Sequence, residues 1–375
     1  MADEDLLDKV HSLSDLELAV LLCLINREHV LISTPPAAID DLVQELQLVA
    51  RKTFSLKPVV VDCHPSTTLE DFASALLLHP RHPHPQSTPG RSVSPFARTT
   101  ESYFALNSHP LSNHRTSSVP LSPLSSLPPP QIAHFVIAKN LDRAPQVVQI
   151  QALELLRTRR IFTRTSVQAA PKQFVFIPVV GAASGGEAHV TPHLNDFFSI
   201  AHWHNPDDGY VNLDESDGRN SGPDDETAST ESVVKKAVDD ATPSTTLISD
   251  IDISQLAKLS QEVQIDIDIL RYQMNIVSFL RMHRAVDGGI TPAATKHLHQ
   301  LVKSLAPLHK LDYVTPALIG LAVRKVYLHR IRIIEPEKER SMQWGSQLEA
   351  VEALLEGVGP EEVVEEVLEM VTAPL

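Results

Sequence analysis

Cysteine is nearly absent from these 375 residues: only Cys23 and Cys63 occur. Two thiols cannot supply a disulfide framework, so a reducing compartment is the expectation. No apolar run is long enough to cross a bilayer. The acidic start (Asp3, Glu4, Asp5) is not followed by a cleavable hydrophobic stretch, so a cytoplasmic chain is expected. Positive charge is also short. Lys and Arg number 32 against 47 Asp and Glu, a net charge of −15, which argues against nucleic acid or an anionic membrane as the main partner. Apolar residues make up 42%, enough for a real core, while 28 prolines point to stretches outside it. The length suits about two domains plus linkers.

Glycine is scarce too, 13 residues, and one place lacks it where chemistry would demand it. The apolar run Val30-Leu31-Ile32 precedes Thr34-Pro35-Pro36-Ala37-Ala38-Ile39-Asp40-Asp41, and a helical pattern from Leu42 to Ala50 follows. Strand, loop, helix is the setting of a phosphate-binding loop. Such a loop needs glycines so that backbone N–H groups can wrap the phosphates, a Lys for the β/γ charge and a Ser/Thr for Mg²⁺. Here Thr34, Ala37 and Ile39 stand at the glycine positions, and Asp40 and Asp41 at those of the Lys and the Ser/Thr. Two carboxylates facing a polyphosphate reverse the sign of the interaction, at roughly 4 kcal/mol per contact for unit charges about 4 Å apart.

Around this loop the pattern alternates. Leu13, Leu16, Ala19, Val20 and Leu24 recur at helical spacing, with Ser12 or Ser14 as cap. Val59-Val60-Val61 predicts a buried strand, and Thr67 and Thr68 open a helix through Leu78. From about 80 to 130 Pro, Ser and His dominate and periodicity vanishes, which predicts a disordered insertion with a short patch at Tyr103-Phe104-Ala105-Leu106. A strand at His134–Ile137, a helix from Pro145 to Arg159 and a strand at Phe174–Ile177 follow. Alternation of this kind predicts a mostly parallel sheet flanked by helices. Residues 206–249 are acidic and read as a linker. Beyond them the chain is helical: Ile269, Tyr272, Ile276 and Phe279 form one stripe and Ala294, Leu298, Leu301 and Leu305 another. Thr315-Pro316 starts a helix carrying Ile319, Ala322 and Val326. Two acidic amphipathic segments, Leu348/Val351/Leu355 and Val364/Leu368/Val371, close the chain, with the helices before them as the nearest surface for their apolar stripes.

Two stretches resemble the MoxR/magnesium-chelatase I-subunit branch of AAA+ ATPases. Asn140-Leu141-Asp142-Arg143-Ala144-Pro145, with Gln149, Ala152, Leu153, Glu154 and Arg159-Arg160, is similar to the segment after the second strand of that family's ATPase site. Gly289-Ile290-Thr291-Pro292-Ala293, Leu311-Asp312-Tyr313-Val314-Thr315-Pro316 and Leu328-His329-Arg330 resemble its helical lid, with Val263, Ile265 and Tyr272 upstream. The resemblance implies an AAA+ P-loop-like α/β core with a C-terminal all-helical lid, interrupted by the long insertion. It also implies where the ATPase residues would fall. The Walker B acidic pair, which holds Mg²⁺ and polarises the attacking water, falls on Lys139 and Asn140, the sensor Asn near Gly181 and the lid arginine on Ala293. The inter-subunit arginine falls on Phe197, within Asp196-Phe197-Phe198. Arg143, Pro145, Tyr313 and Pro316 are left for packing and turn geometry.

Other residues invite sharper readings. His79, His82 and His84 have short, proline-stiffened spacing and too few ligands for a closed metal site. Cys63-His64 has no third group to orient it, and neighbours on a strand face opposite ways, so Cys63 reads as a core residue. Asp40 and Asp41 read more simply as first-turn caps than as cation ligands. Thr88-Pro89, Ser94-Pro95 and Ser122-Pro123 are weak signals for proline-directed phosphorylation.

The expected organisation is 1–79 and 131–205 as two parts of the core around an insertion at 80–130, an acidic linker at 206–249, a lid at 250–335 and acidic helices at 336–375. The expected function is that of a non-hydrolysing interaction module with no catalytic residue, bound metal or cofactor. Its partners would be proteins, an active AAA+ paralogue among the candidates; the sequence leaves its oligomeric state open. A partner-recruiting adaptor working through 80–130 is a variant of that reading. The alternative implied by the resemblance is an ATP- and Mg²⁺-dependent enzyme: the ATPase subunit of a magnesium chelatase, or a MoxR-type chaperone of metalloenzyme maturation.

Overall fold

Five strands rich in Val, Ile and Leu pair in parallel: β1 (His29–Thr34), β2 (Pro58–Asp62), β3 (Phe135–Lys139), β4 (Val175–Gly181) and β5 (Phe198–Trp203). Their spatial order is β2-β3-β4-β1-β5. The computed structural model describes residues 4–78, 131–163, 166–218 and 247–374. Side chains alternate between two cores, as the two-residue period of a strand requires. Val30, Ile32, Phe135, Ile137, Val175 and Ile177 enter one core; Leu31, Val136, Ala138, Phe176 and Val180 enter the other.

The first face is covered by α1 (Glu4–His11), α2 (Asp15–Asn26) and α3 (Ile39–Leu48); the second by α4 (Leu69–Ala75) and α5 (Gln146–Thr158). Local chemistry sets the ends: Ser14 and Thr68 each close a capping box on α2 and α4. Arg159 ends α5 in the left-handed region. After one short turn of helix at Pro192–Asn195, the longer helices among the described residues are α6 (Val211–Gly218), α7 (Asp250–Glu262), α8 (Ile267–Met282), α9 (Pro292–Leu308), α10 (Pro316–Tyr327), α11 (Leu348–Leu355) and α12 (Pro360–Met370). Thr291 and Thr315 cap α9 and α10, each with Pro at the first helical position. Leu298, Val302, Ile319 and Val326 share one continuous core with α2 and β1, so the lid helices are packed onto the sheet's first face. Of the tail's apolar stripes, Val351, Val364 and Val371 are buried. Arg324 grips Glu365 through two contacts of 2.6 and 2.7 Å, and His283 meets Glu366 at 3.2 Å.

Residues 79–130, with the histidine triplet and the Ser/Thr-Pro dipeptides, lie outside the described residues, as do 219–246. Several other expectations need correction. The strand β5 carried no sequence expectation. His202 within it and His204 just after it break an apolar pattern, yet both are buried. The helix expected through Leu78 stops at Ala75, because Leu77–Leu78 pairs antiparallel with Gln131–Ile132. The strand β2 is an edge rather than a buried strand, with Pro58, Val59 and Val60 only half-buried. A hairpin, Arg160–Phe162 with Val167–Ala169, follows α5. Phe279 leaves its stripe for solvent while Val277 and Leu280 are buried.

The start of the expected linker, 206–218, is ordered by a buried carboxylate. Glu45 accepts the backbone N–H groups of Asn212 and Leu213 at 3.0 and 2.9 Å, where the N-terminus of α6 needs an anion. Glu17 and Glu45 share the Asn212 amide, and Glu17 also holds the Thr53 hydroxyl.

Candidate functional site

The C-terminal edge of the parallel sheet is where an α/β fold of this kind offers a ligand crevice. Four strand ends meet there: Thr34 of β1, Asp62 of β2, Lys139 of β3 and Gly181 of β4. After β1 the chain makes one turn of 3-10 helix, Pro36–Ala38, and enters α3 at Ile39. Pro35 and Pro36 carry no N–H, and the N–H of Ala38 is donated to the Pro35 carbonyl at 2.9 Å. The loop lies against β4. A Cβ on Gly181 would meet the Pro36 ring and the end of the Ile39 side chain, both at 3.2 Å. Glycine at this position permits the close approach.

The two polar positions answer each other. Lys139 Nζ reaches Asp40 Oδ1 at 2.5 Å and Asp62 Oδ2 at 4.0 Å. The hydrogen bond that Lys139 donates to Asp40, helped by the Asp62 charge, holds the ammonium above its ordinary pKa. The Walker A and Walker B positions of the resemblance are thus brought into contact with the charges exchanged between loop and strand. Asp40 is 74% exposed, Lys139 only 20%. Asp40 and Asp41 do lie in the first turn of α3, as expected, but not as hydrogen-bonding caps. Ala38 is the N-cap and no side chain bonds the first turn; Asp40 turns to Lys139 instead, and Asp41 is exposed.

Asn140, in the left-handed region at φ 53°, turns the chain from β3 into a short 3-10 segment that leads to α5. Its Oδ1, Thr34 Oγ1 and Asp142 Oδ1 are buried without a protein hydrogen-bond partner. Burial raises the Asp142 pKa. On the other side Tyr210 donates to the Ala38 carbonyl at 3.4 Å and packs on the His204 ring, 5.0 Å between centroids. Cys63 is fully buried, with its thiol pushed up to about 12 by burial, while His64 is exposed and meets Asp62 at 3.4 Å. These two adjacent residues form no pair.

Ala293 and Phe197 lie away from this edge: Phe197 immediately precedes β5, and Ala293 belongs to lid helix α9. Ala293 sits half-buried in the first turn of α9, and Phe197 packs half-buried against the second core. The neighbours of these two residues do the polar work. Thr291, the α9 cap, donates to Asp196 at 2.6 Å, and Arg330 lies 3.4 Å from the same carboxylate. Arg330 is almost wholly buried. It donates to the Ser199, Phe198, Asp196 and Val326 carbonyls and, at 2.8 Å, to His297 Nδ1. Burial brings its pKa down to about 10, and His297 down to about 3, which leaves the imidazole neutral to accept. His329 Nε2 meets the Phe198 carbonyl, and Asn195 donates to the His329 carbonyl at 2.7 Å. The sequence signal for this knot was the run Leu328-His329-Arg330; that Asp196 is its partner could not be read from spacing. Among the described residues no three His, Cys, Asp or Glu side chains are grouped as metal ligands, and no helix is long and apolar enough to cross a membrane.

Residues 278–351 match the AAA lid domain family. The crystal structure of a "putative ATPase" from Cytophaga hutchinsonii is similar over 99% of this chain and 94% of that one, with a TM-score of 0.62 and 14% identity. Identity that low carries the fold alone. No curated protein matches the chain in sequence. The fold is therefore AAA+-like: a parallel α/β core with helices that match the AAA lid family.

Proposed function

We propose that the chain is a non-hydrolysing AAA+-type protein of the MoxR/magnesium-chelatase-like group, acting as an interaction module among proteins. The observation that carries this reading is the contact between Lys139 and Asp40 at 2.5 Å. A Mg²⁺·triphosphate needs a cation on the loop, carboxylates on the neighbouring strand and several free N–H groups between them. This edge presents the reverse: carboxylates on the loop (Asp40, Asp41), an ammonium on β3, and a loop whose N–H supply is cut by two prolines and one internal turn. The donor set does not fit the nucleotide, and the ammonium a phosphate would seek is engaged by two carboxylates.

What persists is the fold around the site, because packing and catalysis draw on different residues. The Asp196–Arg330 knot still fastens the lid to the sheet, so the surfaces such a protein would offer to others are held in place without a bound nucleotide. A protein partner is the natural ligand of a scaffold of this kind, an active AAA+ paralogue included. Titration of the purified chain with a fluorescent ATP analogue and Mg²⁺ tests the reading. No saturable signal is expected through the micromolar range; micromolar binding would overturn it in favour of an ATPase subunit.

A further inference from the structure

The opposite edge of the sheet, where the strands begin, carries a groove of about 970 Å³. Its wall is built from the end of α2, the segment before β2, the approach to β4 and one side of α7. Phe54, Leu56 and Ile253 give it an apolar floor, each buried, and Ile251 stands 77% exposed at its side. Around that floor stand Arg27, Lys57, Lys172 and Lys258, all four exposed. Among the described residues Asp250 is the only carboxylate in the lining, and His134 is held below its ordinary pKa by burial. Among the described residues none of the four cations makes an ion pair. Elsewhere Arg324, Arg284 and Lys139 all have carboxylate partners. In a chain of net charge −15 with 47 acidic residues available, four unpaired cations around one apolar floor are a local reversal of sign.

We infer that this groove is a docking site for an acidic peptide segment of a partner protein, one that carries Leu-type side chains between its carboxylates. The cations would draw in the charge, and Ile251, exposed beside the floor, would meet the apolar side chains. A nucleic acid fits less well: its bases need exposed aromatic faces to stack on, and the one aromatic side chain in the floor, Phe54, is buried. The inference names a partner class for the interaction module proposed above and rests on that reading for its purpose. Its geometry lies at the other edge of the sheet. Nucleotide binding by the chain would therefore overturn the earlier reading and leave the groove's result standing, and the reverse holds too.

The test is fluorescence anisotropy of the full chain with a labelled peptide of about ten residues, mixed Glu and Leu, long enough to lie extended over roughly 33 Å. Saturable binding that weakens as salt rises is expected. The double variant Lys57→Glu/Lys172→Glu should lower the affinity about tenfold or more. Lys9→Glu, on exposed α1, should leave it unchanged, with circular dichroism reporting that both variants fold. Failure to bind, or equal affinity in the double variant, overturns the proposal. Tighter binding of a single-stranded RNA of similar length overturns it in favour of a nucleic acid. A marked gain in peptide affinity on deleting 219–246 overturns it in favour of the chain's own acidic stretch as occupant.

Discussion

Two acid–base pairs hold this molecule at opposite sides of β1, and they differ in kind. Asp40–Lys139 joins a loop to a strand end in the open, with the carboxylate mostly in water. Asp196–Arg330 joins lid to sheet inside the protein, with the guanidinium 2% exposed and carbonyls around it. An exposed pair contributes about 0–1 kcal/mol, because water screens it and two long side chains must be ordered. Breaking a buried pair costs about 3–5 kcal/mol, because the surviving charge is left without solvent or partner. The first pair can therefore stand where a nucleotide site would be without the fold depending on it. The second cannot be removed without loosening the lid. The exposed pair sits where the fold has least to lose, and the buried pair sits at the junction that holds lid and sheet together.

The largest test of that contrast is acid. Burial holds His29, His202 and His297 at about 3, against an ordinary 6.5. All three sit on β1, β5 or α9, on the junction side. The unfolded chain takes up protons there that the folded chain refuses, so their contribution is full above pH 6.5 and is lost as pH falls toward 3. Each group accounts for about 1.4 kcal/mol per pH unit at most. Urea midpoints measured from pH 7 to pH 4 should fall steeply. A flat profile would mean that these imidazoles are not held neutral.

Next comes Arg330→Met. Loss of about 3–5 kcal/mol is expected, read as a drop in the urea midpoint, with protease cuts appearing between sheet and lid. A loss under about 1 kcal/mol would make the two pairs equivalent and remove the contrast. Glu28 sharpens it from the other direction. Burial raises its carboxyl to about 7, although Lys296 and Arg330 pull the other way. Its contribution is full below the unfolded value near 4.5 and is lost as pH rises through 7. Glu28→Gln should therefore stabilise the chain at pH 8, by about 1–3 kcal/mol, and change little at pH 4. An equal effect at both pH values would rule out titration as the cause. The smallest effect belongs to Lys139→Ala, expected within about 0–1 kcal/mol. A loss of several kcal/mol there would show that the exchanged pair is a structural element of the core.

Much of the fold was legible because it rests on periodicity. The runs at Val30–Ile32 and Val59–Val61, the spacing of Leu298, Leu301 and Leu305, and the Thr-Pro starts of α9 and α10 are local signals, and local sterics and apolar burial set them. At the candidate edge the charges of Asp40, Asp41 and Lys139 could be read from the sequence. That Asp40 and Lys139, 99 residues apart, touch each other could not.

The sequence by itself determined the alternation of strands and helices, the lid's apolar stripes and the charge carried by the loop, because each depends on residues within a turn or two of one another. Tertiary structure alone decided the rest. It made a strand of Phe198–Trp203 by giving it β1 to pair with, and it ordered 206–218 by bringing Glu45 to a helix end. It also turned Asp196 and Arg330 into one knot and set four unpaired cations around a single groove. Those outcomes depend on which distant surfaces meet, and a buried charge or an unpaired N–H finds its partner only once they do.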